Sequence, residues 1–434
     1  MRMTTDLTRF TQWVAERSQP RYTALMGMLS DPEGMAESFH RQKAHKAPGV
    51  DGVKKADYEL GLKARLLDLS ARLRRMGYRP KPARRVYIPK SSGKGMRPLG
   101  LPSFEDRIVE DRLSHILQAI WEPEFRDCSY GFRPGRSAHQ ALARLEQIIT
   151  VERTQWLCEV DIRSYFGSVT HEHMERFLAH RIGDSNLLRL IRRFLKAGVM
   201  DEGVFHATDL GTPQGNLVSP VLSNIYLHYC LDVWFERRFA RQCRGKAFLV
   251  RFADDFVACF ELEHDARAFE RSLKERLQNF GLEVEPTKTA LIRFGDLAPI
   301  LCKREGLKRP ATFSFLGFTH YLRVWRKGRT TLGRKTEATR MRRKLTDLGR
   351  RLKSMRTEGV RAMQRYVLQH WQGHLQYFGV RGNSRSLANY VFQVKRRFFK
   401  WVNRRSQRRS FNWTRFNVWW RTWMPPPRIV HALR

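Results

Sequence analysis

Apolar residues recur along this chain with two periods. Steps of four and three mark amphipathic helices. Leu62, Leu66, Leu69, Leu73 and Met76 form one such stripe, and Ile108, Leu113, Ile116, Ile120 and Trp121 mark another. Met341, Leu345, Leu348, Leu352 and Met355 form a third, and Leu387, Val391, Val394, Phe398 and Trp401 a fourth. Between these two, residues 363–378 supply Val367, Trp371, Leu375 and Phe378. Further helices are predicted over 265–280, stopping at Gly281, and from Leu217 onward. Residues 1–45 are mixed, weakly patterned and predicted helical. Short runs rich in β-branched and aromatic residues predict strands: Arg85–Lys90, Arg97–Pro102, Trp156–Ile162, Phe248–Phe252, Phe256–Phe260, Leu282–Ile292 and Phe313–Phe318. Gly/Pro clusters at 47–53, 91–95, 130–139 and 211–215 separate them. The tail, with Trp419, Trp420 and three prolines from Pro425, is expected to wrap back on the chain.

The stretch 248–260 changes the picture from scaffold to chemistry. Asp254 and Asp255 stand side by side at the predicted turn of a hairpin whose arms are core-like. Burying two unpaired like charges costs several kcal/mol or more. A divalent metal is the simplest compensation, and Mg²⁺ favours one or two carboxylates with substrate phosphates. Asp161 ends another strand. A sheet that joined the two strands would gather three carboxylates, as two-metal phosphoryl transfer requires. Phe166, five residues on, either presses on the sugar of a nucleotide or packs in the core. Lys90 and Arg97 face each other across a turn and could hold a triphosphate. Gln214 in the 211–215 loop offers both a donor and an acceptor.

Charge narrows the partner. The 434 residues carry a formal net charge of +39, which points to a polyanion. Residues 321–434 hold 30 Lys and Arg against three acidic residues, with seven of the 11 tryptophans. Basic residues interleaved with aromatics suit phosphate neutralisation and base stacking. The exposed basic faces of the late helices, with Arg342, Arg343, Arg396, Arg397, Arg404 and Arg405, are assigned to RNA. Arg133 and Arg136 in the 130–139 loop either follow a nucleic-acid backbone or close a tight turn. No apolar run approaches 18 residues, the start has no signal-peptide pattern, and the six cysteines form no CxxC pair. These features predict a cytoplasmic protein with reduced thiols and no membrane partner.

The order of these blocks resembles the reverse transcriptases encoded by bacterial group II introns. APGVDG, RPLGLP, YGFRPGRSAH, VDIRSYF, GTPQGNLVSP, FADD, GLEVEPTKT and FSFLGF follow one another as in that family, over nearly the whole chain. The resemblance implies an α+β right-hand polymerase. An N-terminal extension and fingers would span 1–150, a palm with an antiparallel sheet 151–320, and an all-α thumb or maturase domain 321–434. By matching position, Asp161, Asp254 and Asp255 resemble the catalytic triad that holds two Mg²⁺ ions. Phe166 resembles the gate against ribonucleotides, and Gln214 a residue of the nucleotide pocket. Lys90 and Arg97 resemble the triphosphate grip, and Lys288 a palm lysine that could protonate pyrophosphate. The implied partners are group II intron RNA, an RNA template with a DNA primer, target DNA and dNTPs. Two departures stand out: Phe252 replaces the usual tyrosine of the Asp-Asp box, and Gly167 replaces an aspartate. With no Cys/His-rich segment after the thumb, the chain is similar to the short, endonuclease-free members. A domesticated enzyme of DNA repair or phage defence, and an RNA-binding maturase without polymerase activity, are the alternatives.

Overall fold

The computed structural model describes residues 6–16, 21–89, 95–212, 215–324, 330–405 and 410–432. Lys90 and Gln214 lie outside them. The helical stripes fold where their periodicity places them, at Leu62–Arg74, Phe104–Trp121, Glu263–Gln278, Ala338–Ser354, Val360–Phe378 and Ser384–Val402. Ser103 caps the second of these by accepting the Asp106 amide, which satisfies one of the orphan donors of the first turn. No helix among the described residues is long and apolar enough to cross a membrane.

The strands are β1 (Ala83–Pro89), β2 (Met96–Leu101), β3 (Trp156–Asp161), β4 (Val199–Asp201), β5 (Val204–His206), β6 (Ala247–Phe252), β7 (Asp255–Phe260), β8 (Ala290–Arg293), β9 (Phe313–Phe315), β10 (Phe318–Val324) and β11 (Thr330–Thr336). They form three sheets among the described residues. One has the order β2-β1-β4-β5, the second β6-β7-β3-β8 and the third β11-β10-β9. The second is antiparallel throughout. Both its faces are covered, so its strands read as continuous apolar runs rather than alternating ones. Phe256, Ala258 and Phe260 face a core shared with the N-terminal helices and the helix at 104–121. Val257 and Cys259, between them, face a second core. That core holds the helix Ala138–Thr150, the third sheet and the late helices.

Three expectations change. The segment after residue 320 is not all-α, because it opens inside the hairpin of β10 and β11. Phe318 and Leu332 of this hairpin bury in the second core. Buried Arg334 bonds Glu146 Oε2 at 2.7 Å and the Leu142 carbonyl at 2.8 Å. This ties the hairpin to the helix at 138–150. The run 282–292 is strand only at β8. Val284 makes a single bridge to Ile162, and residues 286–288 turn. The tail does fold back, with Trp371 donating its indole N–H to the Pro425 carbonyl at 3.0 Å. It also contains an unforeseen helix, Trp413–Trp423, capped by Asn412.

The late helices enclose a titratable ring. His374 is 1% exposed, and stacks on Tyr390 with centroids 3.6 Å apart. Neither ring nitrogen has a hydrogen-bond partner among the described residues. Burial, with the charge of Lys344 second, pushes its pKa down to about 2. The unfolded chain therefore binds a proton near pH 6.5 that the folded one refuses. Stability is full above that pH and falls by about 1.4 kcal/mol per unit below it. We expect His374→Phe to remove this contribution. The melting temperature of the wild type should drop more steeply than the variant's between pH 6.5 and 5. Parallel curves would contradict the assignment.

Candidate active site

The hairpin of β6 and β7 is tight. Phe252 pairs with Asp255, leaving Ala253 and Asp254 as its turn. Ala253 takes φ +58°, a left-handed conformation that costs a non-glycine residue about 1–2 kcal/mol. The structure holds it there from two sides. Arg251 Nη1 donates to the Ala253 carbonyl at 2.9 Å. On the other side Gly131 touches the turn, where a Cβ would lie 2.4 Å from the Ala253 nitrogen. Here glycine is required by close approach, not by conformation.

Arg251 and its partner Asp232 are both fully buried, with Nε at 2.8 Å from Oδ1 and Nη2 at 2.5 Å from Oδ2. Nη2 also reaches Ser129 Oγ at 2.8 Å, and Nη1 reaches Asn224 Oδ1 at 3.1 Å. Asn224 in turn donates to the Gly131 carbonyl at 2.7 Å. One guanidinium thus joins β6, the 129–131 loop, the helix Ser219–Leu227 and the π-helical turn His228–Asp232 around the turn that carries Asp254. The signal for this in the sequence is a charged residue, Arg251, inside the apolar run FLVRF.

Register places Asp161, the last residue of β3, directly opposite Asp255, the first of β7. The register thus brings Asp161 and Asp255 side by side at one end of the sheet, with Asp254 in the adjoining turn. Burial, and secondarily the charge of Asp254, pushes Asp255 up to about 7; the Leu316 amide acts the other way. Burial raises Asp254 too, with Asp161 adding to it. Asp161 forms an ion pair with Lys288 Nζ, and the bond holds the ammonium's pKa above its ordinary value. Among the described residues no three acidic, His or Cys side chains converge on one point that could hold an ion. The donor chemistry nevertheless fits a hard cation. These are carboxylate oxygens, and those of Asp254 and Asp255 carry charge that burial and neighbouring acids destabilise, which a divalent ion would relieve.

Asp161, Asp254 and Lys288 line a cleft of about 490 Å³ with Arg97, Arg85, Phe166 and Thr212. Arg97 lies opposite Ile88 on β1. Phe166 sits in the short helix Tyr165–Ser168, its ring edge-on to Tyr165, whose hydroxyl bonds the Ser223 carbonyl at 2.9 Å. Gly167 also lines the cleft, and a Cβ there meets nothing within 4 Å. The missing aspartate thus leaves open space rather than a packing change. Phe252 packs on the second core, 6.4 Å from the Phe132 ring.

The arginines assigned to RNA divide. Arg133 is turned inward, bonding Glu122 and the carbonyls of Arg126 and Ser129. It closes the loop, and its placement gives no support to RNA contact. Arg136 pairs with Asp127 over the Tyr130 ring. Arg343 pairs with Asp347. Arg342, Arg396, Arg404 and Arg405 are exposed. Arg396 and Arg397 line an open groove of about 710 Å³ with Phe392, Lys400 and Trp413.

A family described as reverse transcriptase (RNA-dependent DNA polymerase) matches residues 88–320. The chain is similar to protein YkfC of Escherichia coli (strain K12), 38% identical over 280 residues, or 57% of this chain and 73% of that one. It is similar to group II intron-encoded protein LtrA of Lactococcus lactis subsp. cremoris, 34% identical over 222 residues, or 51% of this chain and 37% of LtrA. Nuclear intron maturase 4, mitochondrial, of Arabidopsis thaliana is 27% identical over 130 residues, or 30% of this chain and 16% of its own length. The chain thus spans well under two thirds of the latter two.

Arg251→Met should cost about 3–5 kcal/mol, because it leaves the Asp232 carboxylate buried and unpaired. Adding Asp232→Leu should recover much of the loss. Chemical denaturation of the two variants checks this, and a stable Arg251→Met single variant would contradict it.

Proposed function

Because the chain belongs to the reverse transcriptase (RNA-dependent DNA polymerase) family, we propose that it is the polymerase and maturase encoded by a group II intron. It copies RNA into DNA from a primer 3′-hydroxyl, and binds its intron RNA to assist splicing and insertion into target DNA. The observation that carries the polymerase half is the register of Asp161 against Asp255 beside the Asp254 turn. Asp161, Asp254 and Asp255 would hold two Mg²⁺ ions, which when bound activate the primer hydroxyl and steady the leaving pyrophosphate.

The chain's own residues supply the rest. Arg97 offers a planar fork of donors to the triphosphate. Phe166 puts its ring where the sugar would lie and blocks a 2′-hydroxyl. Lys288, held protonated by Asp161, has a proton to give to the departing pyrophosphate. Hydrogen bonds then keep this wall in place, since the Phe166 carbonyl accepts the Thr212 amide at 2.7 Å.

For the maturase half, the support is the basic groove of Arg396, Arg397 and Lys400 flanked by exposed Phe392 and Trp413. The cations would neutralise phosphates and the rings would stack on unpaired bases. The RNA supplies its own splicing chemistry, and the protein offsets phosphate repulsion.

Asp254→Asn with Asp255→Asn should abolish primer extension on an RNA template while RNA binding persists. Extension by the double variant would refute the site. Phe166→Val should raise ribonucleotide incorporation relative to dNTPs by about 10–100-fold, read in single-nucleotide addition. Charge reversal at Arg396 and Lys400 should weaken binding of the intron RNA and reduce the slope of log affinity against log salt by about 1–2. An unchanged slope would remove this groove from the RNA interface.

A further inference from the structure

Two hairpin turns border Asp255. The first, Ala253 and Asp254, is held by Arg251. The second joins β9 to β10, where Phe315 pairs with Phe318 and leaves Leu316 and Gly317 as the turn. Both turn residues have positive φ, +51° at Leu316 and +79° at Gly317. A two-residue turn of this kind takes Asn, Asp or Gly at its first position, and other side chains are strained there. Leucine stays in that conformation only if its surroundings hold it.

The strand that leads into this turn lies over the acidic face of the catalytic sheet. Ser314 donates its amide to Glu159 Oε1 at 3.3 Å. Two residues on, the Leu316 amide donates to the Asp255 carboxylate. Glu159 and Asp161 are two apart on β3 and so share one face, and Asp161 is the register partner of Asp255. Alternate amides of β9 and its turn thus meet acids on a single face of the sheet.

The groups that hold the turn come from the late helices. Tyr377, in the helix Val360–Phe378, donates its hydroxyl to the Leu316 carbonyl at 2.9 Å. Its ring lies nearly parallel to that of Phe318, 6.0 Å away, and its own carbonyl bonds His139 Nε2 at 2.9 Å. Gly317 lies against the Arg340 guanidinium, where a Cβ would fall 2.6 Å from Nη1. The Glu337 amide donates to the Gly317 carbonyl at 3.1 Å. The first turn uses the same device, a side-chain donor on the carbonyl of a left-handed residue. A phenylalanine at 377 would offer Phe318 the same ring, so packing does not account for the hydroxyl.

We infer that Tyr377 is a positioning residue for nucleotide addition: by holding Leu316 it sets the orientation of the Asp255 carboxylate, and the seating of the late helices becomes part of the catalytic geometry. This rests on the polymerase reading. Burial holds the phenol's pKa above its ordinary value, opposed by Arg340 and assisted by Asp255. The hydroxyl therefore remains a donor through the neutral range.

Two variants separate positioning from scaffolding. Tyr377→Phe removes the hydroxyl and keeps the ring. Tyr390→Phe is the control, since it removes from the same helical core a hydroxyl that bonds His370, at 2.7 Å, rather than the turn. Single-nucleotide addition on an RNA template would be measured against Mg²⁺ concentration, with active sites titrated in each preparation. Mn²⁺ binding would be followed by electron paramagnetic resonance with a dideoxy-terminated primer, template and dNTP, where no synthesis is needed. We expect Tyr377→Phe to lower kcat per active site about three- to tenfold, the loss of one hydrogen bond. It should also raise the Mg²⁺ needed for half-maximal rate and weaken Mn²⁺ binding, with affinity for primer and template nearly unchanged. Tyr390→Phe should keep the wild-type metal dependence whatever its melting temperature. Wild-type kcat and metal dependence in Tyr377→Phe would overturn the inference. So would an equal shift in Tyr390→Phe, which would mean a general loosening of the helical core. No synthesis by the wild type would instead overturn the polymerase reading; the Mn²⁺ comparison then still decides the role of Tyr377, and equal binding by wild type and Tyr377→Phe would count against it.

Discussion

The Arg251–Asp232 pair is the interaction on which the site depends. Neither partner touches solvent, so each is tolerable only because the other is present. The guanidinium uses its fork fully: two donors to the carboxylate, and the others to Asn224, Ser129 and the Ala253 carbonyl. A planar, rigid cation with five donors can join four chain segments at fixed angles, which an ammonium cannot. The strain of a left-handed alanine is thereby sustained at the one turn where Asp254 must project.

The carboxylates next to this pair live under the opposite regime. Asp254 and Asp255 are raised by burial and by neighbouring acidic charge, and neither forms an ion pair among the described residues. Asp161 turns to Lys288. A fixed, fully paired ion network thus stands directly behind an under-compensated acidic edge. The first keeps the geometry rigid, and the second leaves that edge with an electrostatic demand that a divalent cation satisfies. Rigid support behind a strained reactive edge is what preorganised charge stabilisation needs.

The second core explains how one chain serves two surfaces. One face of the catalytic sheet packs on the N-terminal helices and the other on the hairpin and late helices. The late helices spend their aromatics mostly inward, with Trp371, Tyr390 and Phe398 buried. Their arginines are left outward by default, since so many cations have few acids to pair with. Phe392 and Trp413, 50% and 39% exposed, are the exceptions, and both lie beside Arg396 or Lys400 in the groove.

The sequence by itself determined the elements and the acids. The steps of four and three along 341–355 and 387–401 gave helices because a 3.6-residue period must bury one stripe. The apolar arms around Asp254 and Asp255 gave a hairpin because no other local structure hides both faces of so short a run. The Trp413–Trp423 helix is not legible in the sequence, because its aromatics are crowded and three prolines follow closely, a pattern that reads as a tail. The hairpin of β10 and β11 is indistinguishable by sequence from the start of the helical domain, because its burial comes from distant partners, Glu146 among them. Only the tertiary structure decided that Asp161 faces Asp255 across 93 residues of chain, that Arg133 turns inward, and that Arg251 holds the Asp254 turn from beneath. Local periodicity reports which side of an element is buried. It carries no information about which buried polar group meets which, because that depends on the register and packing of segments far apart in sequence.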